Sequence, residues 1–240
     1  MPEVISLNLV PYEQAIELFK SKQIYLPEVY YSAEFTSDMR AFSFSTTLLS
    51  KIAQLEQIFE SLDKAITSGE SFFEWKKNLK IEDAVLPKHR LDNIFRTNLQ
   101  TAYSKGRADN IIANKDTRPV LMYSAINDAR TRPTHKAMNG YVAPIGSAVW
   151  NTWNPPCGYR CRCSLISLSA EQAKQRQSLD DEFLQNNPTA FAERKNALTN
   201  PENNGFGNTF MSSQIDDGLK QAAQKYKGGL FDDYLKEFVY

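Results

Sequence analysis

The chain has 240 residues, 42% of them apolar, and its 28 basic and 28 acidic side chains give a formal net charge of zero. That length suits one large domain or a core domain with appendages, and the apolar share is enough to bury a sizeable core. Neutrality argues against a chain whose overall field gathers a polyanion, so charge has to be read locally.

No apolar run approaches the roughly 18–20 residues needed to span a bilayer, so no membrane role is expected. The first ten residues contain Pro2, Glu3 and Asn8 and lack the basic start and apolar stretch of a signal peptide, which leads to the expectation of a cytoplasmic chain. The three cysteines all lie between Cys157 and Cys163. An odd, clustered set in a cytoplasmic chain speaks for metal or redox chemistry rather than a disulfide framework.

In chain order, a first helix opens near Pro11 with Tyr12, Ala15, Ile16, Leu18 and Phe19 on one face, and Pro27 ends that region. Residues 28–45 are aromatic and read either way. A second helix is predicted from Thr47 to Ser68, where Leu48, Ile52, Leu55, Phe59, Leu62 and Ile66 form one stripe and Gly69 stops it. Ser71 and Glu74 form a capping-box pattern that opens a short helix through Leu79. A long helix follows Pro87 to about Ala113, with Leu91, Ile94, Phe95, Leu99, Ala102 and Tyr103 on its apolar side.

The texture changes at Arg118. Pro119 to Ile126 alternates like a strand, Thr131 caps a short helical turn over Pro133 to Met138, and Gly140 ends it. Tyr141 to Ile145, Ala148 to Trp150 and Cys161 to Leu168 are strand candidates, and Asn154-Pro155-Pro156 is a loop. A charged helix runs from Ala170 to about Gln177. Residues 185–215 look extended or loop-like, Gly218 to Tyr226 is a last amphipathic piece, and the end of the chain is aromatic.

The resulting fold class is α+β, a helical N-terminal half followed by a small antiparallel sheet domain carrying a Cys/His cluster. The expected division is a helical region over 1–80, a core of long helix plus small sheet over 81–176, and an extended or helical tail over 177–240.

Chemistry concentrates between residues 118 and 168. Cys161 and Cys163, two apart on a strand, point to one face and can reach one ion; Cys157 sits on a Pro-Pro-Cys-Gly turn that can fold back; and His135 supplies a fourth ligand. Such a closed Cys3His set would hold one structural zinc and leave no open position for substrate. The bland alternative is three buried, inert thiols on a core strand beside a hydrogen-bonding histidine. The same block holds six cations (Arg118, Arg130, Arg132, Lys136, Arg160 and Arg162) against the single carboxylate of Asp128. Arg130, Arg132, Arg160 and Arg162 are thus candidates for contact with nucleic acid or an acidic partner. A Cys–His nucleophile pair has the right residue types but no activating signature, so no catalytic set is expected.

These residues also carry a resemblance. Asp128, Arg130-Thr131-Arg132-Pro133, His135, Gly140, Trp150, Pro155-Pro156 and Gly158 to Cys163 resemble the central motif of the phage Mu F-like minor head proteins, the phage head-morphogenesis family. Pro11 to Lys22, Leu62 to Trp75 and Asn204 to Asn208 resemble that family's opening helix, its helix closing on a glycine, and its glycine-rich tail. The resemblance implies a minor head protein acting in procapsid assembly or head completion, at low copy, near the portal or inside the shell. Implied partners are portal, major capsid or scaffold proteins and packaged DNA; the implied location is the host cytoplasm during assembly and then the phage head. It implies no settled catalytic activity. Many members lack a cysteine where Cys157 stands, which leaves His135, Cys161 and Cys163 as the surer ligands. The competing reading is a zinc-containing nucleic-acid-binding protein or toxin-like enzyme with its site at the Cys/His cluster.

Overall fold

The computed structural model describes residues 13–35, 39–40, 42–81, 85–201 and 220–221. It divides into two units, Met1–Phe35 with Phe42–Gly106, and Thr36–Ala41 with Arg107–Tyr240.

The first unit is helical apart from one short parallel ladder. Helix α1 (Glu13–Ser21) is followed by β1 (Gln23–Ile24), α2 (Pro27–Tyr30), β2 (Ser43–Phe44), α3 (Ile52–Ser68), α4 (Phe72–Asn78) and α5 (Lys88–Ala113), whose residues up to Gly106 belong here. Strand β1 pairs with β2, Gln23 opposite Ser43 and Ile24 opposite Phe44. Pro11 and Tyr12, expected to open α1, lie outside the described residues. Pro27 does not simply end a region: it occupies the first turn of α2, where its fixed φ suits the helix and its missing N–H is no loss.

Helix α3 starts at Ile52 rather than Thr47. Leu48 takes a left-handed φ of 76° and is exposed, so it leaves the predicted stripe; Leu55, Leu62 and Ile66 are buried as expected. Gly69 ends α3 with φ 70°, a conformation that costs a residue with a Cβ about 1–2 kcal/mol. The capping box forms as read: the Ser71 hydroxyl accepts from Glu74 N–H and the Glu74 carboxylate accepts from Ser71 N–H. On α5 Leu91, Ile94, Phe95 and Ala102 are buried and Leu99 is partly buried, whereas Tyr103 is exposed.

These stripes meet in one core. Phe19 stacks on Phe59 at 4.7 Å, and Trp75 lies against Phe95 at 5.1 Å with its indole N–H donating to Ser61 Oγ. Each such aromatic pair adds about 0.5–1.5 kcal/mol beyond the area it buries.

Lys22 is buried at the edge of this core, its Nζ 5.7 Å from the Phe19 ring centroid. Burial lowers its pKa from 10.5 to about 8. Between those values the unfolded chain binds the extra proton. The burial therefore costs stability below pH 8, and the cost fades as pH rises to 10.5. Lys22→Met is expected to raise stability at pH 7 by about 1–3 kcal/mol in urea unfolding and to flatten the rise across that window. A variant no more stable than the parent would contradict this.

The second unit holds the sheet. Strand β3 (Val120–Ser124) lies between β4 (Val142–Pro144) and β5 (Ser164–Leu168), antiparallel to both. Around it are α6 (Pro133–Ala137), α7 (Val149–Thr152), α8 (Ala170–Asn186) and α9 (Pro188–Thr199). The register puts Val120, Met122, Val142 and Leu168 on one face, where they pack with Ala173 of α8. Leu121, Tyr123, Ala143 and Leu165 take the opposite face. The α+β reading holds, with the antiparallel sheet following the helices and lying beside the Cys/His cluster.

Several expectations need correction. Ala148 to Trp150 is not a strand: residues 149–152 form a helical turn, and the Trp150 indole N–H donates to Pro144 carbonyl oxygen. Thr131 is not a helix cap, because its hydroxyl donates to Asp128 and Arg132 takes the cap position with Pro133 as the first helical residue. Strand β5 begins at Ser164, so Cys161 and Cys163 precede it. Helix α8 runs on to Asn186, and 188–199 is a helix rather than a loop. The apolar stripe of α9 is interrupted because Arg194, a charged residue, faces inward with Ala197 and Leu198. The amphipathic piece from Gly218 and the aromatic end lie, but for residues 220–221, outside the described residues.

Candidate metal centre

His135 is placed by α6. Pro133 starts the helix, which ends at Ala137; Gly140, three residues on, turns the chain at φ 86°, with Asp180 Oδ1 3.3 Å from where a Cβ would stand. Any other residue at 140 would meet both a strained backbone and a carboxylate. The His135 side chain is 2% exposed. Trp153 and Tyr123 box it in edge-on, with ring centroids at 5.6 and 6.4 Å.

Cys161 and Cys163 come from the extended segment ahead of β5. Both are buried and Arg162 between them is half-exposed, so the two-residue alternation expected of a strand survives without strand pairing. A bidentate clamp joins this segment to the His135 arm. Arg162 donates from Nη1 and Nη2 to Asp128 Oδ2 and Oδ1 at 2.8 and 2.6 Å, while Asp128 Oδ1 also accepts from Arg130 N–H and Thr131 Oγ1. Hydrogen bonds from Arg162, and then from Arg130 and Thr131, hold the Asp128 carboxyl below the usual carboxylate range, so the clamp stays ionised at neutral pH. A second tie runs from Arg132 Nη2 to Tyr159 carbonyl oxygen at 2.9 Å.

The result is a compact donor set. His135 Nδ1 lies 3.4 Å from Cys163 Sγ and 3.7 Å from Cys161 Sγ, and the three ligand atoms are within 4.8 Å of one another. A tetrahedral zinc with bonds of about 2.3 Å to sulfur and about 2.0 Å to nitrogen sets an N···S edge of about 3.5 Å. The observed separations match it. His135, Cys161 and Cys163 could hold a metal ion.

Cys157, the remaining candidate ligand, is buried beside Cys161 and hydrogen-bonded to it, but it falls outside the 4.8 Å grouping. All three cysteines are free thiols. Hydrogen bonds from Cys157 and Cys163 push the Cys161 thiol down, burial pushes Cys157 up, and the hydrogen bond to Cys161 pushes Cys163 up.

The four candidate contact arginines do not act alike. Arg162 and Arg132 are tied to Asp128 and Tyr159 and are partly covered; Arg130, which also pairs with Asp128 at 3.5 Å, and Arg160, at a left-handed φ of 59°, are exposed. Reading the sequence missed Tyr123, whose alternation marked it only as a core strand residue. It also missed Arg194 and Asp180, whose contacts with this region span tens of residues.

Fold and cluster together define an α+β protein whose small antiparallel sheet adjoins a buried Cys/His centre able to hold a metal. Residues 56–166 match the family described as Phage Mu protein F like protein. It is 27% identical over 187 residues to the putative capsid assembly protein F of Escherichia phage Mu, covering 69% of this chain and 42% of that protein. It is 38% identical over 87 residues to the Mu-like prophage FluMu F protein of Haemophilus influenzae, covering 36% of this chain and 21% of that protein. The chain thus spans less than half the length of either relative. No solved structure matches it. Among the described residues, no helix is long and apolar enough to cross a membrane.

Proposed function

We propose that this chain is a minor phage head protein acting in procapsid assembly or head completion, and that its Cys/His centre carries one structural zinc. The observation that carries the head-protein reading is the match over 56–166, which contains the whole central block from Asp128 to Cys163 and agrees with the name of the phage Mu relative. Contact with portal, shell, scaffold or packaged DNA falls first to Arg130 and Arg160, because these two are the exposed arginines of the four.

The zinc reading is supported by the donor chemistry and the N···S separations. His135, Cys161 and Cys163 would hold the ion, with Cys157 closing the fourth position. An ion ringed by four protein ligands lends folding energy rather than reactivity, so the centre would staple the 125–163 loops to the sheet. That fits a protein that is not an enzyme.

Quantitative mass spectrometry of procapsids and mature heads from the source strain tests the role. The expected result is the chain at a small fraction of the major shell protein in one or both particles. Its absence from both would overturn the head-protein reading.

A further inference from the structure

Strand β3 delivers one more polar group to the centre. Tyr123 is fully buried, on the sheet face opposite α8, and its hydroxyl lies 3.3 Å from His135 Nδ1. The same hydroxyl is in hydrogen-bond contact with Cys163 and with Cys157. The ring has little freedom to leave. It belongs to a strand paired on both sides and stands edge-on to Trp153 at 5.5 Å.

A centre of three thiolates and one neutral imidazole around a divalent ion carries one net negative charge. In a buried place that charge is costly unless donors face the sulfurs. An ion bound at His135 Nδ1 takes the lone pair that the phenol O–H would otherwise use, and the thiolates are then the acceptors in reach.

We infer that Tyr123 is an outer positioning residue of the metal centre, donating its phenol O–H to the Cys163 or Cys157 thiolate and thereby setting metal affinity without being a ligand. This rests on the zinc reading above. Groups in that position typically change metal affinity by about 10–100-fold when removed.

The test is metal titration of the full chain with Zn²⁺ against a chromophoric chelator, and with Co²⁺ for its spectrum, comparing the parent with Tyr123→Phe. The expected result is unchanged Co²⁺ ligand-field and thiolate charge-transfer bands, with a dissociation constant weaker by about 10–100-fold. Equal affinity in parent and variant would overturn the inference while leaving the centre intact. Altered ligand-field bands would also overturn it, by making Tyr123 a ligand. A parent that binds neither ion would mean that the zinc reading itself is wrong. Should Tyr123→Phe fail to fold, 3-fluorotyrosine placed at position 123 alone keeps the shape and makes the phenol a stronger donor. Tighter binding is then expected, and unchanged binding would overturn the inference.

Discussion

Arg194→Ala is expected to destabilise the sheet-bearing unit by about 3–5 kcal/mol, as removal of one member of a buried charge network does. The guanidinium is 2% exposed and forms a bidentate pair with Asp180 at 2.8 and 3.0 Å. It also donates through Nε to Ala137 carbonyl oxygen and through Nη2 to Asn139 carbonyl oxygen at 2.8 Å, and lies 5.7 Å from the Tyr141 ring centroid. Ala137 and Asn139 are where α6 ends, so α9 caps the helix that presents His135. Alanine would leave the Asp180 carboxylate without its cation and two carbonyls without their donor. Lysine would not restore the arrangement, since one ammonium cannot reproduce a planar fork that meets a carboxylate on one side and two carbonyls on another. Thermal unfolding followed by circular dichroism should show a fall of about 6–20 °C. A loss below about 1 kcal/mol would mean that the network contributes little. Asp180→Asn should cost a similar amount, and the double variant much less than the sum, because the two residues act as one unit.

Removing the proposed zinc should have the largest effect of all. Structural zinc contributes on the order of 10 kcal/mol of binding free energy to the folded state. Without it, three thiols and an imidazole remain packed together. A strong chelator, or Cys161→Ser, is therefore expected to open the 125–163 region. Alkylation of the remaining cysteines should accelerate by orders of magnitude, and proteases should cut in that region first. Cys161 is the best single target because its sulfur is the common partner of Cys157, Cys163 and His135. Thiols that stay protected after chelation, with unchanged melting, would contradict a structural ion.

The parts of this account legible in the sequence are those fixed by local rules. The Ser71–Glu74 box, the Gly69 stop, the α5 stripe and the β3 alternation depend on residues a few positions apart, and each is present in the fold. Residue types alone point to the meeting of His135 with Cys161 and Cys163, although both cysteines precede the strand instead of lying on it. What holds them together was not legible. The Asp128–Arg162 clamp spans 34 residues and the Arg194–Ala137 cap spans 57, so no spacing rule announces either. Arg194 also concealed its own helix, because a buried arginine reads as a polar break in an apolar stripe. The turn at Val149–Thr152 failed for a related reason: Val149 and Trp150 favour strands, and burial of both against the sheet region decided otherwise.

The most direct test of the centre is elemental analysis of the full chain, purified gently without chelators and with its thiols kept reduced. The account predicts about one zinc per chain, falling toward zero in the Cys161→Ser and His135→Ala variants. A parent chain that carries no metal, takes up none when zinc is supplied, and still keeps its three thiols protected would contradict it; the cluster would then be a set of buried thiols and nothing more.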